Sequence, residues 1–415
     1  MNFWQRYKKF TYIVGFIIVV IGLGYLLYVI FFKPLLSPAT PISPTATSTP
    51  PGGGLPPSGK GTGGQIIQTG TSTLPGTSQI PEETKPDPLA KGNVTKTDTI
   101  SQDNTLKPTL TGDGKSLQYY NQNDGKFYRV TADGKAELLS DKVFYDVQNI
   151  VWSPQKTEAV LEYPDGSKII YNFADKNQIT LPSHWQDFNY APSGNQLVFK
   201  SMGQDPDNRW LAVVNSDGSK AQRIEELGEN GDKVYDAWSP NGQVAALYAE
   251  GVDFNRQEVF FVGLNGENFK STIVEGRGFI PQWSPKGNQL LYSVYSTDTD
   301  LKPNLWIVNA EGDQIGSNRR NLGVATWANK CSFSDNTTIY CAVPKSLEQG
   351  SGLFPELADA TTDDLYAIDA TTGQKRRIAI PEGDYNITNL ILSQDGKNLF
   401  FSDKATNNLH KIQLK

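Results

Sequence analysis

Apolar residues along this chain fall into short runs, each introduced by a polar turn. Val244-Ala245-Ala246-Leu247-Tyr248 and Leu290-Leu291-Tyr292-Ser293-Val294 are too apolar to alternate cleanly, which predicts strands covered on both faces. The turns before them read Trp238-Ser239-Pro240-Asn241-Gly242 and Trp283-Ser284-Pro285-Lys286-Gly287. Proline presets φ at the first central position and glycine takes the φ > 0 position that closes a hairpin. The aromatic therefore ends one strand and the apolar run begins its antiparallel partner.

Aligned on the residue before the turn, the units sit at Leu110, Trp152, Tyr190, Trp238, Trp283, Phe333 and Leu392, with spacings of 42, 38, 48, 45, 50 and 59. Periods of this size belong to β-propeller blades. Several units share a second half, such as Trp210-Leu211-Ala212-Val213-Val214-Asn215-Ser216-Asp217-Gly218, so each reads as four strands, a to d. The last unit begins near Ile387 and leaves no residues for strand d. Asn93 to Ile100 alternates like an outer strand and is expected to complete that blade, closing the ring and removing an open edge. The expected fold is all-β, a propeller of seven four-stranded antiparallel blades over residues 93–415.

With their Trp-Ser-Pro-x-Gly and Asn-x-Asp-Gly turns, the repeats resemble the TolB-like β-propellers built from WD-like Pro-Asp repeats, over roughly residues 93–415. The resemblance implies a fold and not an activity, because such repeats occur in periplasmic binding proteins, in non-catalytic domains of prolyl peptidases and in some lyases. The chain departs from TolB in carrying seven units rather than six and no α/β domain in front. Two units are irregular. Lys156 stands where the turn glycine belongs in Trp152-Ser153-Pro154-Gln155-Lys156, and Phe333-Ser334-Asp335-Asn336 lacks the proline.

The front of the chain differs in kind. Residues 11–32 hold no charge and are long enough to cross a bilayer core as one helix, while Arg6, Lys8 and Lys9 precede them with no acid. These features predict a single-pass signal anchor with residues 1–10 cytoplasmic and the propeller extracytoplasmic, in preference to a cleaved signal peptide, whose apolar stretch would be shorter. Residues 33–92 turn to Pro, Thr, Ser and Gly and read as a disordered tether between membrane and propeller. The first 40 residues hold four of the 38 Lys and Arg and none of the 44 acids, so the remainder has 34 bases against 44 acids, a net of −10. Such an ectodomain is a poor nucleic-acid binder.

Candidate chemistry is sparse. Cys331 and Cys341 flank the sixth turn, and if Phe333 faces Ile339 they are cross-strand neighbours, which predicts a disulfide in an oxidising compartment. A zinc site is unsupported, because no further Cys and no nearby His completes it. His184 and His410 are the only histidines, and no Gly-x-Ser-x-Gly elbow, His-Glu-x-x-His helix or Walker loop occurs, so no catalytic residue is assigned.

Binding is expected on the face that carries the b–c loops and the d-to-a connections, where loop length and chemistry vary. That face holds His184, Trp185, Asp187, Asp205, Asp207, Asp253, Arg277, Asp298, Asp300, Arg319 and Arg320. Asp205 with Asp207, and Asp298 with Asp300, offer oxygen ligands for Ca²⁺, but neither loop has the Gly and distal Glu of an EF-hand, and solvated turn-forming Asp is the commoner explanation. Acids, Arg and aromatics around a central opening suit an envelope protein or a glycan. The chain therefore reads as a non-catalytic interaction module; the alternative is a lyase- or lactonase-like propeller enzyme using a central-channel pocket.

Overall fold

The computed structural model describes residues 16–26, 28 and 85–415. Residues 16–26 are helical and their side chains are exposed. The expected span 11–32 lies partly outside the described residues, among which no helix is long and apolar enough to cross a membrane. Most of the expected tether, 33–92, also lies outside them.

Residues 85–415 build a seven-bladed β-propeller. Among the described residues there are seven sheets, six of them filled by chain segments 105–138, 149–181, 185–226, 234–274, 277–321 and 331–381, and the seventh by 387–413. Within each of these segments the strands pair antiparallel in chain order, a to d in the first six and a to c in the seventh, as the apolar runs and turns predict. Seven apolar clusters hold the ring together, each between two neighbouring blades. Between blades 1 and 2, for example, Tyr120 and Phe127 meet Ile150, Leu161 and Tyr171. Burial on both faces explains why the b strands show no alternation.

The recurring turn is a compact hydrogen-bonded unit. Gly242 N–H donates to the Ser239 carbonyl at 2.8 Å, and the buried Ser239 Oγ accepts from Val244 N–H at 2.9 Å. The aromatic before the turn reaches back one blade. Trp152 Nε1 donates to the Lys107 carbonyl and Trp283 Nε1 to the Ala237 carbonyl, both at 2.8 Å, so the indole satisfies its own N–H while packing between blades.

Closure differs in detail from the expected single outer strand. Asp98–Ser101 does pair with Leu409–Gln413 as strand d of blade 7. Val94–Thr95, however, pairs parallel with Lys375–Pro381 and adds a fifth strand to blade 6. The same segment thus fastens two blades. Folded structure also begins upstream of residue 93: Asp87 N–H donates to Val94, Ala90 N–H to Gln413 and Gly92 N–H to Ile378 carbonyls, at 2.7–2.9 Å.

Cys331 and Cys341 are directly opposite across strands a and b of blade 6 and form a disulfide.

Candidate functional site

The inner strands alternate between two forms around the ring. In blades 1, 3, 5 and 7 strand a carries one extra residue against strand b, the irregularity falling between Leu106 and Thr109, Gln186 and Asn189, Arg277 and Ile280, and Thr388 and Ile391. In blades 2, 4 and 6 strands a and b pair without interruption. The first inserted residue is left-handed every time: Lys107 (φ 48°), Asp187 (φ 54°), Gly278 (φ 66°) and Asn389 (φ 48°). At 278 glycine is required twice over, because a Cβ there would come 2.4 Å from the Tyr295 ring. A β-bulge bends its strand and re-aims side chains, and bulges concentrate beside binding sites.

The bulges of blades 1, 3 and 5 border a cavity of about 800 Å³ lined by the inner strands of blades 1 to 5. Its charged lining comprises Lys107, Lys156, Asp187, Lys200, Asp232 and Asp236. Lys200, 6% exposed, projects from strand b of blade 3 and donates to Asp187 Oδ2 at 2.9 Å. Asp236 stands beside this pair on blade 4, and both of its carboxylate oxygens are buried without a hydrogen-bond partner among the described residues. Burial pushes the Asp236 carboxyl well above the ordinary carboxylate range; Lys200 opposes that shift and Asp187 adds to it. Lys156 keeps φ at 63° in the turn position that glycine fills in other blades. Burial pulls its ammonium below the usual lysine range, with no anion to hold it up.

A second feature lies on the b–c face, where neighbouring loops are bonded sideways. Asn255 of blade 4 donates to Thr297 Oγ1 at 2.7 Å and accepts from Thr297 N–H at 3.0 Å. The long excursion of blade 6 bonds to blade 5 through Gly350 N–H to Asp300 and Gly352 N–H to Leu301, at 2.9 and 2.7 Å. Asn386 ties that excursion to blade 7 by donating to the Ala358 and Asp359 carbonyls at 3.0 and 3.1 Å. On this rigid rim Phe254 is 66% and Phe354 53% exposed, accompanied by exposed Val252, Leu353 and Leu357. The nearby acids Asp298, Glu348 and Glu356 form no ion pair among the described residues.

The residues singled out from sequence separate into different roles. Asp187 alone lines the large cavity. Trp185 stacks on Phe199 with ring centroids 3.9 Å apart and belongs to the packing between blades 2 and 3, while His184 is exposed beside it. Asp253 pairs with Arg256 at 2.6 Å and its carbonyl accepts from Arg277, so all three organise one hairpin on the rim. Asp298 borders a smaller pocket of about 290 Å³ with Asn255 and Glu275, and Asp300 adopts φ 53° and holds the blade 6 excursion through its carbonyl. Asp205 and Asp207 are exposed at a short 3-10 turn, Pro206–Asn208. Arg319 donates to Ile273 O and pairs with Glu275, and Arg320 lies on the outer strand Arg320–Asn321; neither reaches the central opening where the sequence reading placed them. Among the described residues no group of three or more acid, His or Cys side chains converges, so neither aspartate pair is joined by a third acidic side chain. Lys107, Lys156, Lys200 and Asp236 were not legible as a set, because four different blades supply them.

No protein-family model matches this chain, and no curated protein matches it. Solved structures match in fold. The tricorn protease superposes with a TM-score of 0.50 at 11% identity, over 76% of this chain and 34% of that one. The Cps50 (Swd1) β-propeller domain of Myceliophteria thermophila gives 0.49 at 12% identity over 77% and 100% of the two chains, and an oligogalacturonate lyase in complex with manganese gives 0.46 at 13% over 74% and 88%. At these identities the likeness assigns no activity; the class, a seven-bladed propeller, is defined by the seven sheets of the chain itself.

Proposed function

We propose that this chain is a membrane-tethered, extracytoplasmic β-propeller that serves as a non-catalytic protein-interaction module, with residues 11–32 as its anchor. The observation that carries the binding face is the rim of blades 4 to 6, where Val252, Phe254, Leu353, Phe354 and Leu357 are exposed on loops that neighbouring blades hold in place. Exposed apolar side chains on rigid loops support recognition, since their ordering cost is already met by the fold. Aliphatic and aromatic tips together favour protein side chains over sugars. The unpaired acids Asp298, Glu348 and Glu356 favour a partner segment in which basic residues flank apolar ones. The Cys331–Cys341 disulfide supports an oxidising compartment, and the uncharged stretch after Arg6, Lys8 and Lys9 supports the anchor.

Photo-crosslinking in intact cells tests this reading. A benzophenone side chain placed at Phe254 or Phe354 is expected to give a discrete adduct, whereas one placed at Asn241, on the opposite face, gives none. Adducts of equal yield from both faces, or from neither, would overturn it.

A further inference from the structure

At the seam of blades 6 and 7 an amine, a carboxyl group and a carboxamide are shut in together. Lys330 ends the short turn Ala328–Lys330, Asp363 opens strand c of blade 6, and Asn386 stands just before strand a of blade 7. They are 8%, 1% and 9% exposed. Lys330 Nζ donates to Asp363 Oδ2 at 2.8 Å, to Asp363 Oδ1 at 3.0 Å and to Asn386 Oδ1 at 3.0 Å. Asn386 Nδ2 in turn donates to the Ala358 and Asp359 carbonyls at 3.0 and 3.1 Å, which fixes the amide with its oxygen toward the amine. The seam between these blades is apolar, with Ala342, Leu365 and Ile387 fully buried.

These three groups are the reactants and the proton carrier for making an amide between two side chains. An ammonium is no nucleophile, but burial draws that of Lys330 below the usual lysine range and pushes the Asp363 carboxyl above the carboxylate range, against their mutual attraction. Across the 2.8 Å contact a proton can pass from Nζ to Asp363, which leaves a neutral amine beside a carboxylic acid. Amides resist amines in free solution, yet groups held in contact gain effective concentrations on the order of 10⁵ M or more. The amine has only to move from Asn386 Oδ1 onto the face of the carbon that bears it.

We propose that Lys330 and Asn386 join spontaneously in an isopeptide bond, with Asp363 as the proton carrier. The bond from Lys330 Nζ to Asn386 Cγ forms, the Cγ–Nδ2 bond breaks, and Nδ2 leaves as ammonia. Asp363 takes the proton that Nζ loses and gives one to Nδ2, so it ends as it began and no co-reactant is needed. The hydrogen-bonded cluster is the reactant state. The new bond ties blade 6 to blade 7, the two blades that Val94–Thr95 and Asp98–Ser101 also fasten, and it lies one residue from the Cys331–Cys341 disulfide.

The test is a tryptic digest of the full-length protein, reduced and alkylated, read by mass spectrometry. The bond is expected to abolish cleavage after Lys330 and to yield segment 321–345 joined to segment 378–397, lighter than their sum by one ammonia, about 17 Da. Asp363→Asn keeps both reacting side chains, and its joined product should accumulate at least about a hundredfold more slowly. Asn386→Ala should release both segments unjoined. The wild-type digest reads the bond directly and so decides even where a variant fails to fold. Segments 321–330 and 378–397 recovered free from wild-type protein after prolonged incubation at neutral pH, or joined product formed as fast in Asp363→Asn, would each overturn the proposal.

Discussion

Two Lys–Asp clusters in this propeller show opposite states of completion. At the seam of blades 6 and 7, Lys330 Nζ lies 2.8 and 3.0 Å from the Asp363 oxygens and 3.0 Å from Asn386 Oδ1. Asp363 also accepts Ile387 N–H at 2.6 Å, and Asn386 spends its amide on two carbonyls of the blade 6 excursion. Burial draws the Lys330 ammonium down and the Asp363 carboxyl up, and their mutual attraction opposes both shifts. At the seam of blades 3 and 4, Lys200 satisfies Asp187 but leaves Asp236 unbonded. A completed buried pair is a staple, costly to break. An incomplete one weakens the fold.

Breaking the staple should produce the largest effect. Lys330→Ala leaves the buried Asp363 carboxylate without its counter-charge and Asn386 Oδ1 without its donor, so urea melts should show a loss of about 3–5 kcal/mol. Replacing both cysteines, Cys331→Ser with Cys341→Ser, removes a crosslink between residues 10 apart. Denaturant melts should record about 2–3 kcal/mol less stability, and a wild-type protein given reductant should shift by the same amount.

Relieving the incomplete cluster should act in the other direction. Asp236 has a folded-state pKa above its unfolded value, so the folded state keeps a proton that the unfolded chain releases. Its favourable contribution is present below the ordinary carboxylate range and is lost as pH rises through the raised folded value. Asp236→Asn is therefore expected to raise stability by about 1–3 kcal/mol at neutral pH, with the advantage closing below about pH 4. Smallest of all on stability, Phe254→Ser with Phe354→Ser touches only exposed tips; melts should move by less than about 0.5 kcal/mol while the rim crosslink disappears.

Much of the architecture was legible because one turn chemistry repeats. Pro and Gly at fixed offsets after an aromatic mark the a–b hairpins, and the missing d strand after Leu409 to Leu414 points to closure by the upstream segment. The cysteine pairing followed from register alone. The split of residues 93–101 between blades 6 and 7 was not readable, since two residues, Val94 and Thr95, carry the extra parallel pairing. The bulges left a partial trace: Asp187, Gly278 and Asn389 are residues that tolerate left-handed backbone, but Lys107 is not, and no motif surrounds them. The cavity charges escaped because their blades are distant in sequence, and the outer strand Arg320–Asn321 escaped because two residues carry no pattern.

The most direct measurement is a pair of thermal melts at neutral pH on Asp236→Asn and Asp363→Asn, the same substitution at the open and the closed cluster. Opposite signs are expected: a higher melting temperature for Asp236→Asn, and a lower one for Asp363→Asn, which deprives Lys330 of its counter-charge. A fall of similar size in both variants would contradict the account, because it would mean that Asp236 is bound into the fold as firmly as Asp363.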